Sequence, residues 1–272
     1  MQYHPHAGAR LAYTIHGERG EPVLLIQGIG VIGEGWRPQV EGLADAHRLL
    51  LFDNRGIGES TVATPGPLSI EQMADDALAV ARAAGWESFH VVGHSMGGVI
   101  AQRLALAHPE AVRSLALLCT VARGADAVRM NWRQLVLGLR THFGPRRWRR
   151  RAFLELIFPP DYLRSADTDA LAAGLAPLFG RDLAEQPPIL LRQAMALRRH
   201  DATPELHRLR VPALVVCAEH DPIAPPWAGR ALAAAIPGAR LVELAGASHG
   251  VPIQDPPRIN GLLAELFAAA AR

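Results

Sequence analysis

A chain of 272 residues, 49% of them hydrophobic, can bury a substantial core, and at this size an α/β chain is commonly one domain plus an insertion. The net charge of +2 makes no demand for a nucleic-acid partner, and no apolar run is long enough to span a membrane. Residues 1–6 lack an apolar signal region, and Cys119 and Cys217 lie in apolar runs without metal or redox spacing, so a reducing cytoplasm is the expected setting.

In chain order, residues 9–15 and the short stretch before them read as an antiparallel hairpin. Residues 23–26 form an apolar strand ending in the loop Gln27-Gly28-Ile29-Gly30. Residues 48–53 form the next strand. Ser69-Ile70-Glu71-Gln72 is a capping box that opens a helix, with Met73, Ala77, Val80, Ala81 and Ala84 on its apolar face and Gly85 at its end. Phe89-His90-Val91-Val92 is a strand, then comes Gly93-His94-Ser95-Met96-Gly97, then a helical run from Gly98 to Ala107. Strand, G-x-S-x-G, helix is the context of a nucleophile elbow, where a sharp turn lifts a serine hydroxyl above the sheet. Residues 112–119 form a strand. Residues 122–200 carry helical periods but no convincing strand. Residues 211–218 and 239–244 are strands again; Asp221 lies just beyond the first and His249 just beyond the second. A final helix runs from about 257 to the C-terminus.

A serine hydroxyl is a poor nucleophile near neutral pH and needs an adjacent base. Imidazole suits that task, and a carboxylate must hold its tautomer and stabilise its cation. Taken singly, Ser95 reads equally as a turn residue, His249 as a solvated loop histidine, and Asp221 as the turn residue before Pro222. Taken together they occur as Ser, Asp, His, each just past the carboxyl end of a strand, where catalytic groups of open α/β sheets collect. On these motifs the chain resembles the α/β-hydrolase superfamily over nearly its whole length. The turn Asp53-Asn54-Arg55-Gly56-Ile57-Gly58-Glu59-Ser60 looks like that family's D-x-R-G-x-G-x-S.

The resemblance implies a mostly parallel eight-stranded sheet flanked by helices, with a helical cap inserted after the sixth strand. Residues 1–121 and 201–272 would be the core and 122–200 the cap. Ser95 would attack, His249 would carry the proton, and Asp221 would hold His249. The oxyanion hole would be the backbone N–H groups of Met96 and Ile29. Gln27 stands where the family usually has histidine, which puts loop support in question but not the backbone donors. Gln27 and Gly28 would line the substrate pocket. From the cap, Trp132, Leu135, Leu139 and Phe143 are the expected lining, with Trp148, Phe153 and Phe158 as further candidates; fewer than half of these should touch substrate, the rest being cap core. Aspartate at 95 would have meant a dehalogenase or epoxide hydrolase. Serine means acyl chemistry on a small molecule: a carboxylic ester first, with lactone, diketone C–C cleavage or cofactor-free perhydrolysis as alternatives. No metal and no cofactor are called for, and the oligomeric state is left open.

Rival readings come from other classes. Gly28-Ile29-Gly30-Val31-Ile32-Gly33 is a literal G-x-G-x-x-G after a strand, and Asp53 ends the next strand about 20 residues on, as in a dinucleotide fold. Against a dehydrogenase, a loop continues through Trp36, Pro38 suits the first turn of a later helix, and strands precede the glycines. A non-catalytic binding protein of the same fold need not keep Ser95, Asp221 and His249 in register. Arg123, Arg129, Arg133, Arg140, Arg146, Arg147, Arg149, Arg150 and Arg151 read as a solvated helix face rather than an anion site, and His200-Asp201 as a structural turn leading back from the insertion.

Overall fold

Apolar runs of five to eight residues build the centre of the protein. The computed structural model describes residues 1–63, 66–127 and 132–270. The strands are β1 (Gln2–His6), β2 (Ala9–His16), β3 (Pro22–Ile26), β4 (Arg48–Phe52), β5 (Thr61–Val62), β6 (Phe89–His94), β7 (Val112–Leu118), β8 (Ala213–Ala218) and β9 (Arg240–Leu244). They lie in the order β1-β2-β4-β3-β6-β7-β8-β9. From β4 onward along that path every pairing is parallel, and only the β1-β2 hairpin and its contacts are antiparallel. The path holds the eight strands expected from the sequence; the two-residue β5, paired to β2, is a ninth that the sequence pattern did not signal.

The central strands are largely apolar because both faces are covered. Along β3, Leu24 and Ile26 join one core and Val23 and Leu25 the other. The first core is closed by α2 (Ile70–Ala83), α3 (Met96–Ala107) and α10 (Pro226–Ala235); the second by α1 (Arg37–Leu43), the short α11 (Val251–Gln254) and α12 (Pro256–Ala270). The Ser69 side chain accepts from the Gln72 N–H at 3.1 Å, which caps α2 as its sequence predicts. Met73, Ala77, Val80 and Ala81 are buried beneath it.

Between β7 and β8 the described residues contain helices and no strand: α4 (Gly124–Ala127), α5 (Trp132–Arg140), α6 (Arg146–Ile157), α7 (Pro160–Ser165), α8 (Thr168–Phe179) and α9 (Leu190–Arg199). Helices α6, α7 and α8 share a small core of their own, including Leu154, Phe158, Leu163, Leu175 and Phe179. The chain enters and leaves this segment at a paired neck. Gly124 N–H donates to the His200 carbonyl at 3.0 Å and Ala202 N–H donates to that of Ala122 at 3.1 Å, which sets Arg123 opposite Asp201 in a short antiparallel backbone pairing. His200 is further tied to Glu71 on α2, Nδ1 to carboxylate, at 3.1 Å.

Candidate active site

β6 delivers its last residue into a tight reversal. Ser95 has φ 56° and ψ −124°, a conformation that side chains rarely adopt. Its backbone is held on both sides: its N–H donates to the Leu118 carbonyl at 2.9 Å, and its own carbonyl accepts from Gly98 N–H at 2.9 Å and the Thr120 hydroxyl at 2.6 Å. The flanking glycines are required by space. A Cβ on Gly93 would lie 2.3 Å from the Gly97 carbonyl oxygen, and one on Gly97 would lie 2.0 Å from that of Ile26. The strain at Ser95 is thus imposed by the crossing of β3, β6 and α3.

Two further loops end beside it. Asp221 follows β8, and its Oδ1 accepts the N–H groups of Ile223 (2.7 Å) and Ala224 (2.8 Å). Its Oδ2 faces His249 Nδ1 at 2.8 Å, and the pair is almost fully buried. Cys119 lies buried beside Asp221; burial and that carboxylate push the thiol pKa up. His249 follows β9. Its loop is fixed by the Ser248 hydroxyl on the His220 carbonyl (3.1 Å) and by Gly250 N–H on the Ile157 carbonyl of α6 (2.8 Å). With one imidazole nitrogen committed to a carboxylate, the other is left to exchange a proton within the cavity.

Met96 is the first residue of α3, so its N–H has no carbonyl one turn earlier to satisfy it. Opposite runs the loop after β3. Gly28 N–H donates to the Gln27 side chain at 3.1 Å and Gly30 N–H to the Gln193 side chain at 2.9 Å, while Ile29 between them lines the cavity. A Cβ on Gly28 would stand 3.1 Å from that of Ser95. Gln27 therefore braces its own loop, and Gln193 of α9 braces it from the helical segment, a partner the sequence did not reveal.

The cavity measures about 200 Å³. Ser95, His249, Gln27, Gly28 and Ile29 line its floor, and Thr141, His142, Phe153, Leu156, Ile157, Phe179, Arg181, Gln186 and Leu190 come from the helical segment. The expected lining residues Trp132, Leu135, Leu139 and Phe143 are a correction: all four are exposed, Trp132 at 75% and Phe143 at 71%, and none borders the cavity. Trp148 is exposed as well, and Phe158 lies in the segment's own core. The reason is placement. Helix α5 packs on α6, and only Thr141 and His142, just past its end, reach the cavity; α6 and α8 supply the apolar wall. Apolar periodicity marks a helix as amphipathic but does not say what its apolar face meets.

Other groups singled out by sequence are engaged elsewhere. The two Asp53 oxygens accept from Gly33 N–H (2.7 Å) and Glu59 N–H (2.9 Å), so this carboxylate staples two loops together. The chain after Gly33 is a 3-10 turn followed by α1, with Pro38 in its first turn. Arg123, Arg140, Arg146, Arg150 and Arg151 pair with carboxylates of the same segment, and Arg149 donates to the Ala184 carbonyl; Arg129 and the Arg133 side chain lie outside the described residues. His94 Nε2 meets the His249 carbonyl oxygen at 2.8 Å, and desolvation together with the neighbouring His249 pushes its pKa down to about 3. Among the described residues, His94, Cys119 and His249 are the metal-ligand types that gather, with one donor atom each within 4.8 Å of the others. In the structure His249 Nδ1 is committed to Asp221, and His94 Nε2 to the His249 carbonyl.

Comparison with known proteins decides the family. A family model described as the alpha/beta hydrolase fold matches residues 21–152, and one described as TAP-like protein matches residues 177–270. A protein of Azorhizobium caulinodans named "Putative carbamate hydrolase RutD" is 34% identical over 97% of this chain and 97% of its own. The chain belongs to the α/β-hydrolase superfamily. Among solved structures, this hydrolase resembles the enol-lactonase from Burkholderia xenovorans LB400 with a TM-score of 0.79 and 29% identity, covering 98% of this chain and all of that one. It also resembles a thermophilic esterase from Thermogutta terrifontis, with a TM-score of 0.78 and 27% identity over 96% of this chain and 94% of that one. Among the described residues of the hydrolase, no helix is long and apolar enough to cross a membrane.

Proposed function

We propose that this hydrolase cleaves a carboxylic ester or closely related acyl bond through a Ser95-His249-Asp221 triad and an acyl-enzyme intermediate, with residues 122–200 as the cap that roofs the site. The observation that carries the reading is the buried 2.8 Å contact between His249 Nδ1 and Asp221 Oδ2 beside a strained Ser95 on the cavity floor. In the mechanism, His249 Nε2 takes the proton as Ser95 Oγ attacks the carbonyl carbon. The resulting oxyanion would be met by the N–H groups of Met96 and Ile29, fixed backbone donors that need no reorganisation as charge develops. His249 then gives its proton to the leaving group. Water repeats the sequence on the acyl-enzyme and regenerates Ser95. Asp221 holds the imidazole throughout.

A carbamate is the second reading, favoured by the likeness to RutD at 34% identity; its carbonyl passes through the same tetrahedral intermediate. Short chromogenic esters, a carbamate series and a lactone series should be tried on the wild type and on Ser95→Ala. Turnover should fall by about three orders of magnitude or more in the variant. A serine-directed phosphonate should label the wild type at Ser95 alone. Retention by Ser95→Ala of more than about a tenth of the rate would refute the triad.

A further inference from the structure

The cavity wall holds one residue that its apolar character does not explain. Arg181 follows α8 and reaches into the space between the cap and the loop after β3. Around it the wall is Phe153, Leu156, Phe179 and Leu190, with Ile29 and Val31 from the floor. Among the described residues no aspartate or glutamate lines this cavity. The guanidinium is instead held by carbonyl groups: Nε donates to Glu185 at 3.0 Å, and Nη1 donates to Phe179 at 3.1 Å and to Gly30. Glu185 directs its own carboxylate to Arg146, at 2.6 Å. Nη2 comes within 3.5 Å of where a Cβ on Gly30 would sit. Burial pushes the Arg181 pKa down, and the charge of the nearby Glu185 offsets this only in part.

Five N–H donors in a fixed fork suit a carboxylate, which accepts two of them side by side. Three carbonyl contacts orient the fork but supply no countercharge. Holding a half-buried cation against an apolar wall is costly when the nearby Glu185 carboxylate is already engaged by Arg146, and the cost is relieved when an occupant brings further negative charge. Arg140, Arg146, Arg150 and Arg151 of the cap, by contrast, already face carboxylates.

We propose that Arg181 is a specificity-determining residue that binds a carboxylate on the substrate, so that this enzyme prefers acyl compounds bearing a second, anionic carboxyl group. The proposal rests on the hydrolase reading of Ser95. The substrate class is then a monoester, lactone or carbamate of a dicarboxylic or oxo acid. Its reactive carbonyl sits over Ser95, its short apolar chain lies against Phe153 and Leu156, and its free carboxylate meets Nη2 of Arg181. The neutral Gln186 amide beside it on the wall adds a donor without adding charge.

The test compares the p-nitrophenyl monoester of glutaric acid with its methyl-capped neutral counterpart. Wild-type kcat/KM should favour the anion about tenfold or more, a gain in keeping with one hydrogen-bonded charge pair. In Arg181→Met the anion-to-neutral ratio should fall by about ten- to a hundredfold, and Arg181→Lys should recover part of it. A wild type that prefers the neutral ester, or an Arg181→Met ratio within about twofold of wild type, overturns the proposal. Calorimetry separates this from the hydrolase reading. Monomethyl glutarate should bind the Ser95→Ala protein at least about tenfold more tightly than dimethyl glutarate, and the difference should vanish in Ser95→Ala/Arg181→Met. If neither ester is turned over but the binding difference is present, the hydrolase reading of Ser95 fails and the anion site stands. If both esters are turned over and monomethyl glutarate shows no binding advantage, the anion site fails.

Discussion

Asp221→Asn should cost far more activity than its size suggests, and the structure says why. Asp221 Oδ1 accepts two backbone N–H groups, at 2.7 and 2.8 Å, while Oδ2 faces His249 Nδ1 at 2.8 Å. An asparagine placed there must keep its carbonyl oxygen on the two N–H groups, because its NH2 cannot accept from them. The NH2 therefore turns to His249 and donates to Nδ1. That donation places the imidazole proton on Nε2, the nitrogen that receives the proton of Ser95 in the proposed mechanism. The wrong tautomer is then the stable one. The expected loss in kcat is about 10⁴-fold, which corresponds to about 5.5 kcal/mol of barrier. The fold should survive, since the two backbone contacts and the volume are kept. The assay is turnover of a short p-nitrophenyl ester by the wild type, Asp221→Asn and Asp126→Asn, with the circular dichroism spectrum as a folding check. Asp126 is bound to Arg123 at 2.8 Å and should be replaceable within about twofold. The reasoning is refuted if Asp221→Asn keeps more than about a tenth of the rate, or if Asp126→Asn proves the crippling change.

Three other outcomes follow from particular contacts. Gly97→Ala would put a methyl 2.0 Å from the Ile26 carbonyl oxygen and should destabilise the protein by about 4 kcal/mol or abolish soluble expression, whereas Gly261→Ala, with nothing within 4 Å on α12, should stabilise it by about 0.5–1 kcal/mol in urea melts. Phe153→Ala should change the kcat/KM ratio between bulky and short acyl esters about tenfold, while Trp132→Ala, at a 75% exposed position, should leave that ratio as it is; equal effects would detach the cavity wall from specificity. Because the folded pKa of His94 is lowered from 6.5 to about 3, its contribution to stability is complete above pH 6.5 and is lost as pH falls toward 3. The melting temperature should therefore decline through that window, and His94 should show no imidazole titration by NMR near neutrality; a shift centred near pH 6.5 would contradict the burial argument.

Local chemistry made much of the molecule legible from its residues. The strand-turn-helix around Gly93-His94-Ser95-Met96-Gly97 declares itself because a sharp turn between close backbones tolerates no side chain at 93 or 97. The buried parallel strands are visible as apolar runs, which mark the points after β8 and β9 where Asp221 and His249 stand. Helix α2 is announced by its cap and its stripe of Met73, Ala77 and Val80. What the chain did not disclose is how the helical segment meets the sheet. An apolar stripe fixes which side of a helix is greasy, not which surface it faces, so Trp132 and Phe143 looked as eligible for the cavity as Phe153. Only the packing of α6 and α8 over the loop after β3 separated them. The same packing brings Gln193 to Gly30, 163 residues away in sequence, and sets Arg181 beside an apolar wall. Such contacts depend on the angle at which two elements cross, a property of the assembled chain that no short window of residues encodes.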